Sequence, residues 1–242
     1  MWHRLATVLP IFGLLCGLSI GVAGAADDPT DERIRQFILN NPEVLIQALE
    51  KYQLQERDRQ RQESAAAITT NRDKILNHPM TPVSGNKNGD VTVVEFFDYQ
   101  CGFCKRTLPT MLDMIKQDKK LRVVWKELPI LGPVSQIAAR AAMAAHKQGK
   151  YLPFHVAVMG ARGQLTTNKI FRLAKKVGLD VDRLKRDMKD PAIDTYLRNT
   201  IRLARSIGIN GTPGFIIGDK LVPGAIEKDR MMELIAKARS QS

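Results

Sequence analysis

Phe96-Phe97-Asp98-Tyr99-Gln100-Cys101-Gly102-Phe103-Cys104 is the stretch on which the reading of this chain turns. It overlaps an apolar run, Val91-Thr92-Val93-Val94-Glu95-Phe96-Phe97, whose β-branched and aromatic residues predict a buried strand. After it, in residues 105–117, Leu108, Met111, Leu112 and Ile115 recur at helical spacing. The two cysteines therefore fall where a strand hands over to a helix. There the unpaired N–H groups of the first turn and the helix dipole favour an anion. Cys101 is expected as the exposed first sulfur, whose thiolate attacks a substrate disulfide. Cys104, one turn on, lies within reach to resolve the mixed disulfide. Lys105 and Arg106 lie too far along the helix to be direct partners.

The chain has 242 residues and three cysteines. The third, Cys16, lies in a segment that opens with a positive end (Met1 to Arg4) and continues apolar, broken by Pro10, Gly13 and Gly17. The segment closes with Ala23-Gly24-Ala25, so residues 1–25 read as a secretory signal peptide cut after Ala25. A transmembrane anchor fits less well, because the apolar run is interrupted and ends in small residues rather than a basic stop. A lipoprotein anchor at Cys16 would need a small residue where Leu15 stands. Export to an oxidising periplasm would leave Cys101 and Cys104 as the sole pair of thiols. A disulfide that local restrains little of the unfolded chain. A zinc site would need two more ligands, and His78, His146 and His155 have no ligand-like spacing, so no metal is expected. Redox chemistry at the pair remains.

Hydrophobic content of 44% and charged content of 26% exclude disordered and collagen-like classes. The net charge of +12 is unevenly spread: residues 26–80 hold 8 basic and 10 acidic side chains, and residues 81–242 hold 28 and 15. A basic body can signal nucleic acid. Export argues against that, and a solvated basic surface is the simpler reading.

The chain divides near Pro79. Before it, Ile34, Phe37 and Ile38 keep helical spacing, and Asn41-Pro42-Glu43 is a helix start in which Asn41 can cap. Val44, Leu45, Ala48, Leu49 and Tyr52 follow on one face. Residues 53–64 are almost wholly polar, a solvated helical stalk or a flexible connector, and residues 65–76 resume helical character. Residues 26–80 are thus expected as a helical region whose apolar stripe, with no core of its own, either folds back on the body or self-associates. Residues 81–242 read as α/β. Leu121–Glu127 is a second strand. A helical block follows in residues 135–148 (Ala-rich, with Ala138, Ala141, Ala142 and Ala145 as a packing stripe), 152–159, 166–177, 180–188 and 191–207. A hairpin about Gly218-Asp219 and a last helix over residues 226–238 complete the outline.

The quoted stretch resembles the active-site strand and turn of the DsbA-like, thioredoxin-fold oxidoreductases, over roughly residues 85–240. Three further features match residue by residue. Gly211-Thr212-Pro213 corresponds to that family's cis-proline loop, and Glu95, six residues before Cys101, to its buried acid that assists proton transfer. The helical block, about residues 133–208, corresponds to the domain inserted into the thioredoxin fold. Glu127-Leu128-Pro129-Ile130-Leu131-Gly132-Pro133 also resembles this branch. The resemblance implies a thioredoxin fold with an inserted helical domain, preceded by a helical N-terminal extension. It implies Cys101, Cys104 and Glu95 as catalytic residues, Thr212, Pro213, Gly102 and Phe103 as substrate-binding residues, and no cofactor. A cis Thr212–Pro213 bond would present a backbone edge beside the sulfurs, where a substrate strand could pair; an ordinary trans turn is the alternative. Burial of Glu95 would raise its pKa; pairing with Lys126 of the neighbouring strand is the alternative there. The Gly-Phe dipeptide departs from the Pro-His of the strongly oxidising DsbA pattern, so the disulfide should be less oxidising. Thr212 before the proline resembles the disulfide isomerases. Asn40-Asn41-Pro42-Glu43-Val44 is similar to the extension of the exported suppressor-of-copper-sensitivity C-type proteins, some of which oligomerise through this segment and act as isomerases.

Two classes of function are open. The first is a periplasmic thiol–disulfide oxidoreductase, a disulfide isomerase or reductase acting on unfolded or misoxidised exported proteins. Its partners would be a membrane thiol–disulfide redox protein and further copies of itself through residues 31–76. A monomeric DsbA-like dithiol oxidase is the alternative within this class. The second is a periplasmic protein that holds Cu(I) between the two sulfurs. Pro213 and Glu95 have no part in sequestration, which favours the enzyme.

Overall fold

In the computed structural model, residues 29–241 are described. The signal peptide expected at residues 1–25, with Cys16 and the cleavage point after Ala25, lies outside them. The described chain forms two compact units, residues up to 53 and residues from 54 onward.

In the first unit, α1 (Pro29–Asn40) is followed by the start of α2 (Glu43–Thr70). Between them the Asn41 side chain donates Nδ2–H to the Phe37 carbonyl at 2.8 Å. It thus closes α1 behind it rather than capping α2 ahead of it, as the sequence reading expected. Ile34, Phe37, Leu39, Val44, Leu45, Ile46, Leu49 and Tyr52 are all exposed.

The second unit is built on a five-stranded sheet. Its strands are β1 (Val83–Gly85), β2 (Val91–Phe97), β3 (Leu121–Glu127), β4 (Gly214–Ile217) and β5 (Lys220–Pro223), in the order β1-β3-β2-β4-β5. β2 and β3 pair in parallel across α4 (Gly102–Gln117); the other pairings are antiparallel. β2 and β3 each bury six of their seven residues, because both their faces are covered. Val93, Phe97, Val123, Trp125, Phe215 and Ile217 enter one core, with Leu108, Met111 and Met114 of α4. Val94, Phe96, Val124 and Ile216 enter a second core on the opposite face. That second core takes in Ile68 of α2 and Ile75 of α3 (Arg72–Leu76). Part of the region assigned to the N-terminal extension therefore shares the core of the body, and the polar residues 53–64 are helical throughout α2. β1 was not anticipated. It is three residues long, and it ends at Gly85, whose φ of +74° and whose approach to the Leu121 carbonyl leave no room for a Cβ.

Between β3 and β4 runs the helical block: α5 (Pro133–Lys147), α6 (Tyr151–Met159), α7 (Thr167–Lys176), α8 (Val181–Asp187) and α9 (Pro191–Ser206). The alanine stripe of α5 is fully buried, which lets α6, α7, α8 and α9 all approach the same helix. α10 (Lys228–Arg239) covers the sheet face that carries Val93 and Phe97, with Met231, Leu234 and Ile235. Adding three carbons to that close-packed stripe is expected to overfill it: Ala142→Leu should lower stability by about 1–3 kcal/mol. Urea unfolding midpoints measure this, and an unchanged midpoint would show slack at the α5 interface.

A buried dithiol site at the N-terminus of α4

Cys101 is the N-cap of α4, and its Sγ accepts the backbone N–H of Cys104 at 3.3 Å. Both cysteines are free thiols. On the other side the Cys101 thiol donates to the Thr212 carbonyl at 3.2 Å. The Thr212–Pro213 bond is cis, and Pro213 is buried immediately before β4. Thr212 and Pro213 are thus brought to the sulfur of Cys101. Cys101 keeps only 6% of its surface and Cys104 none, so the first sulfur is tucked against the Thr212 loop rather than exposed as the sequence reading expects. Gly102 is exposed, and Phe103, 56% exposed, lies under the Arg106 guanidinium, 4.2 Å from the ring centroid. Lys105 turns away to the Ala161 carbonyl at 3.3 Å.

The Cys101 turn is positioned by Asp98. This buried carboxyl accepts from the Gln100 N–H (2.7 Å), the Ser135 hydroxyl (2.6 Å), and the N–H groups of Ile130 and Leu131 (2.9 Å each). Its carbonyl accepts the Cys101 N–H at 3.0 Å. Asp98 was quoted in the motif but given no role; a lone acid at the end of an apolar strand was the signal.

Glu95 is fully buried beneath α4, and burial pushes its pKa up to about 8 against the opposing hydrogen bond from Thr107. The Thr107 hydroxyl reaches Glu95 Oε1 at 3.3 Å and the Cys104 carbonyl at 3.0 Å, so Thr107, also unforeseen, links the acid to the turn of Cys104. The alternative pairing with Lys126 does not occur. Glu95 stands opposite Trp125 in the register, and Lys126, one residue on, points to the other face. Burial holds the Cys104 thiol far above its ordinary pKa; a backbone hydrogen bond from Asp98 opposes this and the Glu95 charge adds to it. Cys104 is therefore held as a neutral thiol, beside an acid that titrates close to neutral pH.

Behind the turn lies a third buried acid, Glu127. Glu127 Oε1 accepts both the Tyr99 hydroxyl (3.0 Å) and the Tyr151 hydroxyl (2.8 Å). His155 Nδ1 sits 3.2 Å from the Tyr99 oxygen, and its ring stacks on Tyr151. Burial raises Glu127 well above the carboxylate range, the two phenols opposing, and lowers His155 to about 3. The cluster ties α6 to the residue two before Cys101. Its members are spread over residues 99–155, so no spacing in the sequence announced them. Among the described residues no group of three metal-ligating side chains converges, and no helix is long and apolar enough to cross a membrane.

A DSBA-like thioredoxin domain model matches residues 92–236. The chain belongs to the DsbA-like thioredoxin-domain family. It is 44% identical to a thioredoxin-like oxidoreductase from Silicibacter pomeroyi, with a TM-score of 0.69, covering 71% of this chain and 99% of that one. Proteus mirabilis ScsC, in a transitional conformation, is 27% identical at a TM-score of 0.68, covering 88% of this chain and 96% of that one. A Na+/H+ antiporter of Salinispora arenicola is 27% identical over 164 residues, 64% of this chain. The chain spans about a quarter of the length of the curated relatives it matches (24% of this one), and antiport is the named activity of those longer proteins.

The raised pKa of Glu95 makes stability depend on pH. Between the ordinary carboxylate range and about 8, the unfolded chain has released a proton that the folded chain keeps, so stability falls as pH rises through that window. Glu95→Gln has no such proton to lose. It should gain on the natural protein from about pH 5 to about pH 8, by on the order of 4 kcal/mol at the upper end. Urea unfolding across that range measures it; a difference constant with pH would remove Glu95 as the titrating group.

Proposed function

We propose that this protein is a periplasmic thiol–disulfide oxidoreductase, a disulfide isomerase or reductase that acts on misoxidised exported proteins as a homo-oligomer. The observation that carries the reading is the unequal pair: Cys101 at the helix N-terminus against the Thr212 carbonyl, Cys104 sealed beneath it with Glu95. The Cys101 thiolate attacks a substrate disulfide, forming one mixed disulfide and releasing one substrate thiolate. In isomerisation, another substrate thiolate attacks the mixed disulfide and expels Cys101, so no electrons are gained or lost. In reduction, Cys104 gives its proton to Glu95 and attacks Cys101 Sγ. The reduced substrate leaves with both electrons, and the Cys101–Cys104 disulfide then awaits a membrane-bound dithiol partner. Phe103, Ile130 and Leu131, exposed around Cys101, offer apolar contact to an unfolded client.

Self-association through residues 31–76 is supported by the row of exposed apolar side chains from Ile34 to Leu54. Ile68 and Ile75 belong to the core of the body, so the contact falls on α1 and the first half of α2. Association would surround one client with several sites. The test uses the full exported chain beside a Phe37→Glu/Leu49→Glu variant. The natural chain should sediment as an oligomer and reactivate scrambled ribonuclease. The variant should sediment as a monomer and lose most of that activity while still oxidising reduced ribonuclease. Reactivation that survives as a monomer ends the oligomeric reading. Oxidation without reactivation by either protein makes this a dithiol oxidase. In either protein Cys104→Ser should accumulate mixed disulfides at Cys101.

A further inference from the structure

The sheet face opposite the dithiol holds a charge that no acid balances. Lys126, 1% exposed, is the sixth residue of β3. Its ammonium donates to the Lys74 carbonyl (2.7 Å) and to the Thr81 hydroxyl (2.8 Å), both neutral acceptors. Among the described residues it enters no ion pair. Its strongest charged influence is a like charge, Arg122, whose guanidinium is itself spent on the Leu76 carbonyl at 2.7 Å. Lysines this deeply buried are ordinarily paired.

Beside Lys126 opens a cavity of about 440 Å³ between the α3 segment and α9. Lys74, His78, Asn199, Thr200 and Arg202 line it with Lys126, and no Asp or Glu does. Lys74 is held by the Asn71 carboxamide oxygen at 3.1 Å and Arg202 by that of Asn199, again neutral partners. His78 Nδ1 accepts the Met80 N–H at 3.2 Å, which leaves the ring proton on Nε2 as a donor. The Lys126 charge adds to burial in lowering the His78 pKa, so the two groups feel one another. Three cations, an imidazole donor, an amide and a hydroxyl meet around one space with nothing anionic among them.

We propose that this cavity is a binding site for a phosphate-sized oxyanion, held by Lys126 at its floor and by Lys74 and Arg202 at its mouth. The missing countercharge of Lys126 is supplied by the ligand. Burial holds the empty lysine down to about 7, so an arriving anion restores the charged form that burial disfavours. The site lies across the sheet from Cys101 and is independent of the thiol chemistry.

The test titrates the full exported chain with inorganic phosphate at ionic strength held constant by sodium chloride, read by calorimetry and by the amide NMR shifts of Asn199 and Thr200. Saturable binding with shifts at those two residues is expected. Lys74→Ala/Arg202→Ala removes two exposed side chains and should weaken binding at least tenfold, with thermal stability and ribonuclease reactivation unchanged; Lys126→Met should abolish it. If Lys126→Met fails to fold, the double variant decides. A parallel titration with glycerol 3-phosphate separates a free anion from a phosphorylated molecule: whichever binds more tightly names the source. No saturable response, or one equal in the double variant, overturns the proposal.

Discussion

Everything at the dithiol site depends on how the Asp98 carboxyl is satisfied. A buried polar group without partners is costly, and each oxygen of Asp98 meets two donors. Those donors come from three places: the turn before Cys101, the loop after β3 and the first turn of α5. The one side chain therefore locks the sulfur-bearing turn to the sheet and to the helical insertion together. Its carbonyl, holding the Cys101 N–H, passes that constraint to the helix start. Cys101 can then sit as an N-cap with its sulfur toward the Cys104 N–H and the Thr212 carbonyl.

From that placement the two sulfurs acquire different chemistry. The N-cap position gives Cys101 a donor aimed at its sulfur and the favourable end of the helix dipole. Cys104 faces inward, where burial penalises its charged form and Glu95 adds to the penalty. In the proposed reaction, a Cys104 that ionises with such difficulty keeps its proton until a mixed disulfide stands in front of it. Glu95 near 8 suits that step, since it can hold or accept a proton close to neutral pH. The cost is a buried acid that destabilises the fold more as pH rises, a conflict of the kind functional sites tolerate.

What the sequence made legible was what is local. The strand over residues 91–97, the helix after the cysteines and the hairpin at Gly218-Asp219 follow from spacing alone, and the structure has all three. The period of two in a strand also settles the fate of Glu95: neighbours in register share a face, and Lys126 is one step out of it. That inference required the register, which no single sequence prints. The same limit hid Glu127, whose partners at residues 99, 151 and 155 meet only after the insertion folds back. It hid Ile68 and Ile75 as well. A helix with a long polar run reads as a stalk until its last turns are seen in the second core. Asn41 shows a subtler limit, because a side chain able to cap forward can also close backward, and here it donates to Phe37.

The two faces of the sheet treat buried charge in opposite ways. On the dithiol face each buried ionisable group has a neighbour able to exchange a proton or a hydrogen bond with it: Glu95 with Thr107, Glu127 with two tyrosines. On the other face Lys126 has neutral acceptors, the Tyr196 ring 5.9 Å away and cationic neighbours, and no acid. Part of its stabilisation comes from the carbonyl of Lys74, near the end of α3, where carbonyl oxygens carry partial negative charge. A carbonyl supplies a fraction of a charge, and α3 is too short to add much dipole. Arg122 also reaches the end of α3, at the Leu76 carbonyl. Lys126 is thus a second cation beside the same short helix, fully buried and facing a space ringed by Lys74 and Arg202. That surplus of positive charge with no acid beside it is the ground for the proposal that the cavity takes an anion and is more than a gap left by packing.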